Sequence, residues 1–585
     1  DLVLSGGTGA IGFVGTLTSG VKNLTLATTG GLSFGGVVSG LGNISVTLAS
    51  AGLIGTSISA TSLVGSVALT GPVSITGLQS YTNNLLLETS GTNGISVAGV
   101  NTTSQGISLK TAQGVMNVGA LNAADLTNGN IALTHGGTLT FAGNVFAGKD
   151  LAVTTNNGAT IIVGTGTDIS MQSLGSGITL GGAGGAISLV NNLIATAGAG
   201  AIVFNSTIDS ATGKNLTLAL TLANVVTFNG TIGQINRLGD ISITGAPSGI
   251  SAGLNNIKAK SFVAAPSSGA INLSGVLDFN GAAGLDVTTT GTTSPAGNIT
   301  LGQLTTSGGA VLISNSQILQ LLGNVLSAGS ITESGAGTVV LGDAGAVSPT
   351  ITVSTTTAGS GIVFGKNITL NRDGVLTAAG AGNVTLSGTV DNATATARGL
   401  ALNSTSGVIS LNGNIGTNVT NGGLASVNAT TTGNISLGGT NVSTVGNGGQ
   451  RYSGLNTSFT NDLVLSGGTG AIGFVGTLTS GVKNLTLTTT GGLSFGGAVS
   501  GLGDILVNAA SAGLSGTSIS ATSLVGATTT AGTTPVALNG AVSITGQQNY
   551  TDKLLLETSG VNNISVAGVS TTTGTISLKT NLGTL

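Results

Sequence analysis

One four-residue phrase recurs along the chain and constrains its fold more than any other feature. It reads Asn or Asp, apolar, small polar, apolar. It appears as Asn23-Leu24-Thr25-Leu26, Asn43-Ile44-Ser45-Val46, Asn215-Leu216-Thr217-Leu218 and Asp240-Ile241-Ser242-Ile243. It returns as Asn298-Ile299-Thr300-Leu301, Asn367-Ile368-Thr369-Leu370, Asn383-Val384-Thr385-Leu386 and Asn434-Ile435-Ser436-Leu437. Alternating apolar and polar positions with β-branched residues predict a short strand with one buried face. The leading Asn or Asp predicts a corner, because both side chains tolerate left-handed backbone and bond nearby main chain. A four-residue strand has no stability alone. A long series of them predicts a stack in which each strand pairs with its equivalent one repeat later.

The repeat has a period. Phrases start at residues 1, 23 and 43, and later at 150, 168 and 186, where Ala186 stands in for the corner residue. A spacing of about 16–25 residues suits one coil of a β-solenoid, since a single coil cannot bury its apolar face and a stack can. The fold expected is all-β, a right-handed parallel β-helix of roughly 20-residue coils, about 29 of them in this length.

A second, much longer repeat contains the first. Asp1-Leu2-Val3-Leu4-Ser5-Gly6-Gly7 returns as Asp462-Leu463-Val464-Leu465-Ser466-Gly467-Gly468, and residues 1–65 differ from 462–526 at only seven positions. The second copy then carries eight extra residues around Thr528-Thr529-Thr530, and the match resumes with Tyr81 against Tyr550 and Lys110 against Lys579. The expected organisation is therefore one long unit of coils over 1–461 and the start of another over 462–585. The chain reads as a piece of something longer. The exchange of Asn43 for Asp504 fits a corner that either side chain can serve. Two stretches depart from the phrase. Ile318 to Leu326 has apolar residues at helical spacing and predicts a short helix or an irregular coil. Asn441 to Asn461 is polar and Gly-rich and predicts a looser connection.

Composition sharpens this. The 585 residues include 103 Gly, no Cys, 31 charged side chains and a net charge of −3. Apolar residues are too many for a disordered chain, and Gly has no three-residue period and Pro occurs only six times, which excludes collagen. The charge offers no attraction to nucleic acid, and no unbroken apolar run of about 18 residues predicts a membrane span. Without Cys there are no disulfides and no thiolate metal sites.

The Gly-Asn-Ile-Ser-Leu phrase at Gly433–Leu437 and Gly-Asp-Ile-Ser-Ile at Gly239–Ile243 resemble the coils of filamentous-haemagglutinin-type exoproteins, large bacterial adhesins of the two-partner secretion class. The resemblance covers nearly the whole chain. It implies a right-handed β-helix, export, and roles in adhesion or biofilm. The Asn-Pro-Asn motifs of that family's secretion domain are not in this sequence.

Motifs with chemical meaning are few, and each has a plainer structural reading. Gly7-Thr8-Gly9-Ala10-Ile11-Gly12 matches a dinucleotide fingerprint, but strand-like residues follow where a helix would be needed. His135, the only histidine, reads as a loop residue. Gly181-Gly182-Ala183-Gly184-Gly185 lacks the Asp of a calcium-binding roll. Paired carboxylates one coil apart would suit glycosidic chemistry. Asp150 with Asp168 are candidates, as are Asp278 with Asp286 if they share a coil, although the first two open strand phrases. Arg372-Asp373-Gly374 reads as a turn with an exposed ion pair. Asn-x-Ser/Thr sequons, as at Asn23, Asn205, Asn215, Asn392 and Asn418, arise from the phrase itself. Thr runs at 288–290 and 430–432 raise an ice-binding reading, but no register of Thr-x-Thr supports it.

The expectation is a structural and adhesive rod, not an enzyme, with no catalytic, cofactor-binding or metal residues. It would be extracellular or at a bacterial cell surface. It would self-associate into fibres or contact a cell-surface or polysaccharide ligand. The alternative is a carbohydrate-active or carbohydrate-binding β-helix protein, for which Arg237, Asp240, Lys258 and Lys260 form the densest charged patch.

Overall fold

The structure is a computed structural model. It describes residues 1–585 except 48–49, 66–67, 157, 222–223, 246–247, 346–349, 509–512 and 527–536. The eight-residue insertion around Thr528–Thr530 lies outside the described residues. The chain forms two compact units, Asp1–Gly297 and Asn298–Leu585, and each is a β-solenoid. There are about 25 turns of roughly 22 residues. This is fewer and longer than expected, because many corners carry extra loop residues beyond the four-residue phrase.

Each coil supplies three short strands, and each strand pairs in parallel with its equivalents in the coils before and after, which gives three columns. In the first unit one column begins Leu2–Gly7, Leu24–Thr28 and continues through the second half of Val38–Val46. Its inward rank starts Leu2, Leu24, Ile44, Leu63 and ends Val226, Ile250, Ile271. Along this rank every aliphatic side chain sits over another at the spacing of paired strands, about 4.8 Å. In the second unit an equivalent rank runs Ile331, Ile362, Val384, Ile409, Ile435. Apart from Leu2 in the first coil, which is exposed, these side chains are buried, and period-two alternation turns the intervening polar residues outward. Aromatic residues stack by the same rule. The Tyr452 and Phe474 rings lie 5.1 Å apart and the Phe474 and Phe495 rings 5.8 Å apart, nearly parallel in both cases.

The corner residues act differently from the expectation. Asn and Asp are not in left-handed backbone, and among the described residues only Val21 and Val482 combine a side chain with positive φ, at 61° each. Nor do these corners chiefly bond their own main chain. Their Oδ1 accepts a backbone N–H from the next coil: Asn43 N–H to Asn23 at 2.9 Å, Thr389 N–H to Asn367 at 2.9 Å, Val408 N–H to Asn383 at 2.8 Å and Asp504 N–H to Asn484 at 2.8 Å. In each of these bonds the side chain supplies an oxygen, which a carboxylate offers as well as an amide. This explains why Asp replaces Asn43 in the second long repeat. Ser62 Oγ donates to Asn43 Oδ1 at 2.7 Å, and Ser523 Oγ donates to Asp504 Oδ1 at 2.6 Å. Each such bond ties neighbouring coils where the ladder is interrupted, and contributes about 1 kcal/mol.

Two further expectations are corrected. Ile318 to Leu326 contains no helix. It forms strands Ile318–Leu321 and Val325–Ser327 with Leu319, Leu321 and Val325 buried. Two period-two strands separated by Leu322-Gly323-Asn324 imitate helical spacing. Asn441 to Asn461 is an ordinary coil, with strands Asn441–Ser443, Gln450–Ser453 and Asn456–Phe459. Its inward positions are filled by Val442, Tyr452 and Phe459. Pairing runs on past residue 462, with Val442 opposite Leu465 and Tyr452 opposite Phe474.

Candidate functional site

The charged residues are mostly committed to holding coils together. Arg237 donates through Nη1 to the carbonyls of Ala259 (2.9 Å) and Asp278 (2.6 Å), and through Nη2 to the Asp278 carboxylate, so one guanidinium spans three coils. Asp240 accepts from Ser261 Oγ at 2.6 Å. Lys258 lies beside Asp278 in register and Lys260 is exposed. The densest charged patch is therefore a clamp with two lysines on its surface, not two acids converging on a bond.

The candidate carboxylate pairs do not assemble. Asp150 Oδ1 accepts the Ser176 N–H at 2.9 Å, and Asp168 Oδ1 accepts the Asn192 N–H at 3.1 Å. These coils advance by 24–26 residues, so Asp150 and Asp168 occupy different corners and do not stack. Asp278 and Asp286 lie on successive strands, Leu277–Phe279 and Leu285–Thr289, in different columns. The Asp278 carboxylate is taken by Arg237. Arg372 forms no pair with the adjacent Asp373. Its Nη2 lies 3.6 Å from Asp343 Oδ1 with the side chain largely buried, and Asp373 Oδ1 accepts the Gly399 N–H at 2.9 Å. After Gly7-Thr8-Gly9 the chain enters the strand Ile11–Phe13, so no helix N-terminus forms for a dinucleotide phosphate. Asn392 is buried and its Nδ2 donates to Gly423 O at 2.9 Å. That sequon is closed to modification in the folded chain.

His135 is not in a loop. It ends the strand Ile131–His135 and is fully buried. Its Nδ1 lies 2.6 Å from Gly137 O, so Nδ1 carries the proton. Thr111 Oγ1 donates to Gly114 O at 2.9 Å and Thr89 Oγ1 to Asn93 O at 2.7 Å from the same strand-end position. His135 thus does a threonine's work, capping a turn carbonyl from inside. Burial holds its imidazole below the usual range and the bond to Gly137 opposes this.

Three buried polar features escaped sequence reasoning. The first is this strand-end Thr. The second is a Gln-x-Tyr pair at all three tyrosines. Tyr81, Tyr452 and Tyr550 donate to the Oε1 of Gln79, Gln450 and Gln548 at 2.9, 3.0 and 2.9 Å. Period two puts both partners inside, which the spacing alone could have revealed. The third is Glu333, an inward residue of the strand Ile331–Glu333, with Oε2 accepting the Gly365 N–H at 2.9 Å and Oε1 without a partner.

Burial pushes the Glu333 carboxyl up from its ordinary range, against hydrogen bonds from Gly365 and neighbours that lower it. The folded state therefore favours the neutral acid more than the unfolded chain does. Stability from this group is complete below the ordinary Glu value of about 4.3 and is lost as pH rises through the raised value. Glu333→Gln, neutral at every pH, should remove that loss. Denaturant midpoints measured from pH 4 to 8 should fall less steeply for the variant. Parallel profiles would show that Glu333 is already ionised and well accommodated.

No group of three or more His, Cys, Asp or Glu side chains with metal-ligand proximity occurs among the described residues. No described helix is long and apolar enough to cross a membrane. No known protein family, curated protein or solved structure matches the chain.

Proposed function

We propose that this chain is an extracellular structural and adhesive protein of the filamentous-haemagglutinin type, at or outside a bacterial cell surface, whose working part is the outer wall of its stacked coils. The observation that supports this reading best is an outward rank of hydroxyls in the second unit. Thr385, Ser410, Ser436, Ser458, Thr479 and Ser500 stand opposite one another in successive coils. Such a wall is wetted yet uncharged. With 31 charged side chains in 585 residues, like-charge repulsion between two walls is weak, and lateral association and cell contact are favoured.

The test is to purify the chain and follow assembly by light scattering and sedimentation. Assembly should change little between low and high salt. Replacing Ser410, Ser436 and Ser458 together with Lys places three like charges about 4.8 Å apart. This should block assembly at low salt and permit it at about 1 M, where screening acts over only ~3 Å. A parent chain that stays monomeric at every concentration would overturn the proposal.

A further inference from the structure

Two consecutive coils of the first unit are short, and they leave a dent. From Leu24 to Ile44 and on to Leu63 the column advances by 20 and then 19 residues, against 22 for the coils on either side. The shortening falls at one corner. There Val38–Val46 and Ile58–Gly65 run round as unbroken strands, while neighbouring coils carry loops at Val21–Lys22, Thr82–Asn84 and Thr103–Gln105. The loops wall a depression of about 430 Å³. Ser59, Thr61, Ser80 and Asn101 line it with no charged side chain among the lining residues. The Tyr81 hydroxyl is turned inward to Gln79.

Part of this arrangement recurs. In the second long repeat, Val499–Asn508 and Ile519–Gly526 again run unbroken round the corner, and the advances are again 20 and 19 residues. The same register shift separates Val38/Leu41 and Val499/Leu502. The same strained valine stands on the wall, Val21 or Val482, with its N–H bonded to Gly40 O or Gly501 O at 2.8 Å. A β-branched residue in left-handed backbone costs on the order of 1–3 kcal/mol and persists where surroundings impose it, often at ligand clamps. The facing wall does not recur. Where the first copy has the loop Thr82–Asn84, the second runs on as the strand Gln548–Thr558 and carries the charged Asp552 and Lys553. Ser80 and Asn101 of the first copy are Asn549 and Ser570 in the second, where Ser570 Oγ donates to Asn549 Oδ1 at 2.7 Å.

We infer that this dent of the first copy is a binding site for an uncharged glycan. Hydroxyls and an amide offer both donors and acceptors at coil spacing, which suits vicinal sugar hydroxyls. A peptide strand would seek an open sheet edge, and the strands here are paired on both sides. The uncharged lining offers nothing to phosphate or carboxylate. The inference deepens the contact-surface reading above. A chain that assembles as proposed but retains no glycan would sink the inference alone.

The experiment is affinity electrophoresis of the full chain through gels containing mannan, galactomannan or a β-glucan, with polygalacturonate and heparin as charged comparisons. At least one neutral polymer should retard the chain and the charged ones should not. Ser59→Trp fills the dent from an exposed position, and Ser520→Trp, at the equivalent place in the second long repeat, is the comparison. Ser59→Trp should weaken retardation at least tenfold, and Ser520→Trp should leave it within twofold of the parent. In the first copy, Ser80→Ala with Asn101→Ala removes the hydrogen-bonding groups without filling the space and should weaken it in the same sense. Retardation by no neutral polymer, equal or stronger retardation by the charged ones, or a Ser59→Trp variant within twofold of the parent would overturn the inference.

Discussion

Phe474→Ala is expected to destabilise the second unit by about 3–5 kcal/mol, the usual cost of emptying a buried aromatic site. Phe474 is the middle ring of three, with Tyr452 at 5.1 Å on one side and Phe495 at 5.8 Å on the other. Its loss opens a gap that cannot close. The flanking coils are held at strand spacing by the Tyr452–Phe474 and Phe474–Phe495 pairings of their backbones. The stacking term adds to the loss from both neighbours, about 0.5–1.5 kcal/mol for each ring pair. Denaturant unfolding followed by tyrosine fluorescence should show the fall, since Tyr452 reports from inside the stack. A change under about 1 kcal/mol would mean that the interior relaxes freely and is not close-packed.

Gly337→Ala is expected to be nearly as damaging for the opposite reason. A Cβ built on Gly337 would lie 1.4 Å from the Gln317 carbonyl oxygen and 2.7 Å from Asn315 Nδ2, both in the preceding coil. That oxygen is backbone, so the coils themselves would have to part, while the Gly337 N–H bonds Asn315 O at 2.9 Å. Overpacking of this kind costs about 1–3 kcal/mol and sometimes more, and here the upper end is expected. Gly20→Ala, where an added Cβ meets nothing within 4 Å, should be close to neutral. Equal midpoints for the two variants would contradict the close approach of coils that the fold requires.

The architecture was legible because its cause is local and repeated. Asn-Ile-Ser-Leu states a corner and a half-buried strand in four residues, and repetition leaves stacking as the only way to bury Ile and Leu. What was illegible depends on the third dimension. The acceptor role of Asn23 toward Asn43 needs the next coil in place. The burial of His135 and Glu333 follows from their inward position at the end of a strand, which their own chemistry argues against. The reach of Arg237 to Asp278 joins residues 41 apart. Ile318 to Leu326 misled because a turn between two alternating strands reproduces helical spacing. The dent came from coil lengths of 20 and 19 residues, a difference visible in the sequence but without meaning until the corners were aligned.

The chain contains no cysteine, so the stacking of coils can be tested by introducing pairs of them. Ser410 and Ser436 are register partners in adjacent coils, and Ser458 follows one coil further. Partner Cα atoms about 4.8 Å apart lie within disulfide range, and atoms two coils apart, at roughly 9.6 Å, do not. Ser410→Cys with Ser436→Cys should oxidise readily to an intramolecular disulfide, and Ser410→Cys with Ser458→Cys should remain reduced in the folded chain. Efficient closure of the second pair, or failure of the first, would contradict a fold in which each coil lies directly upon the one before.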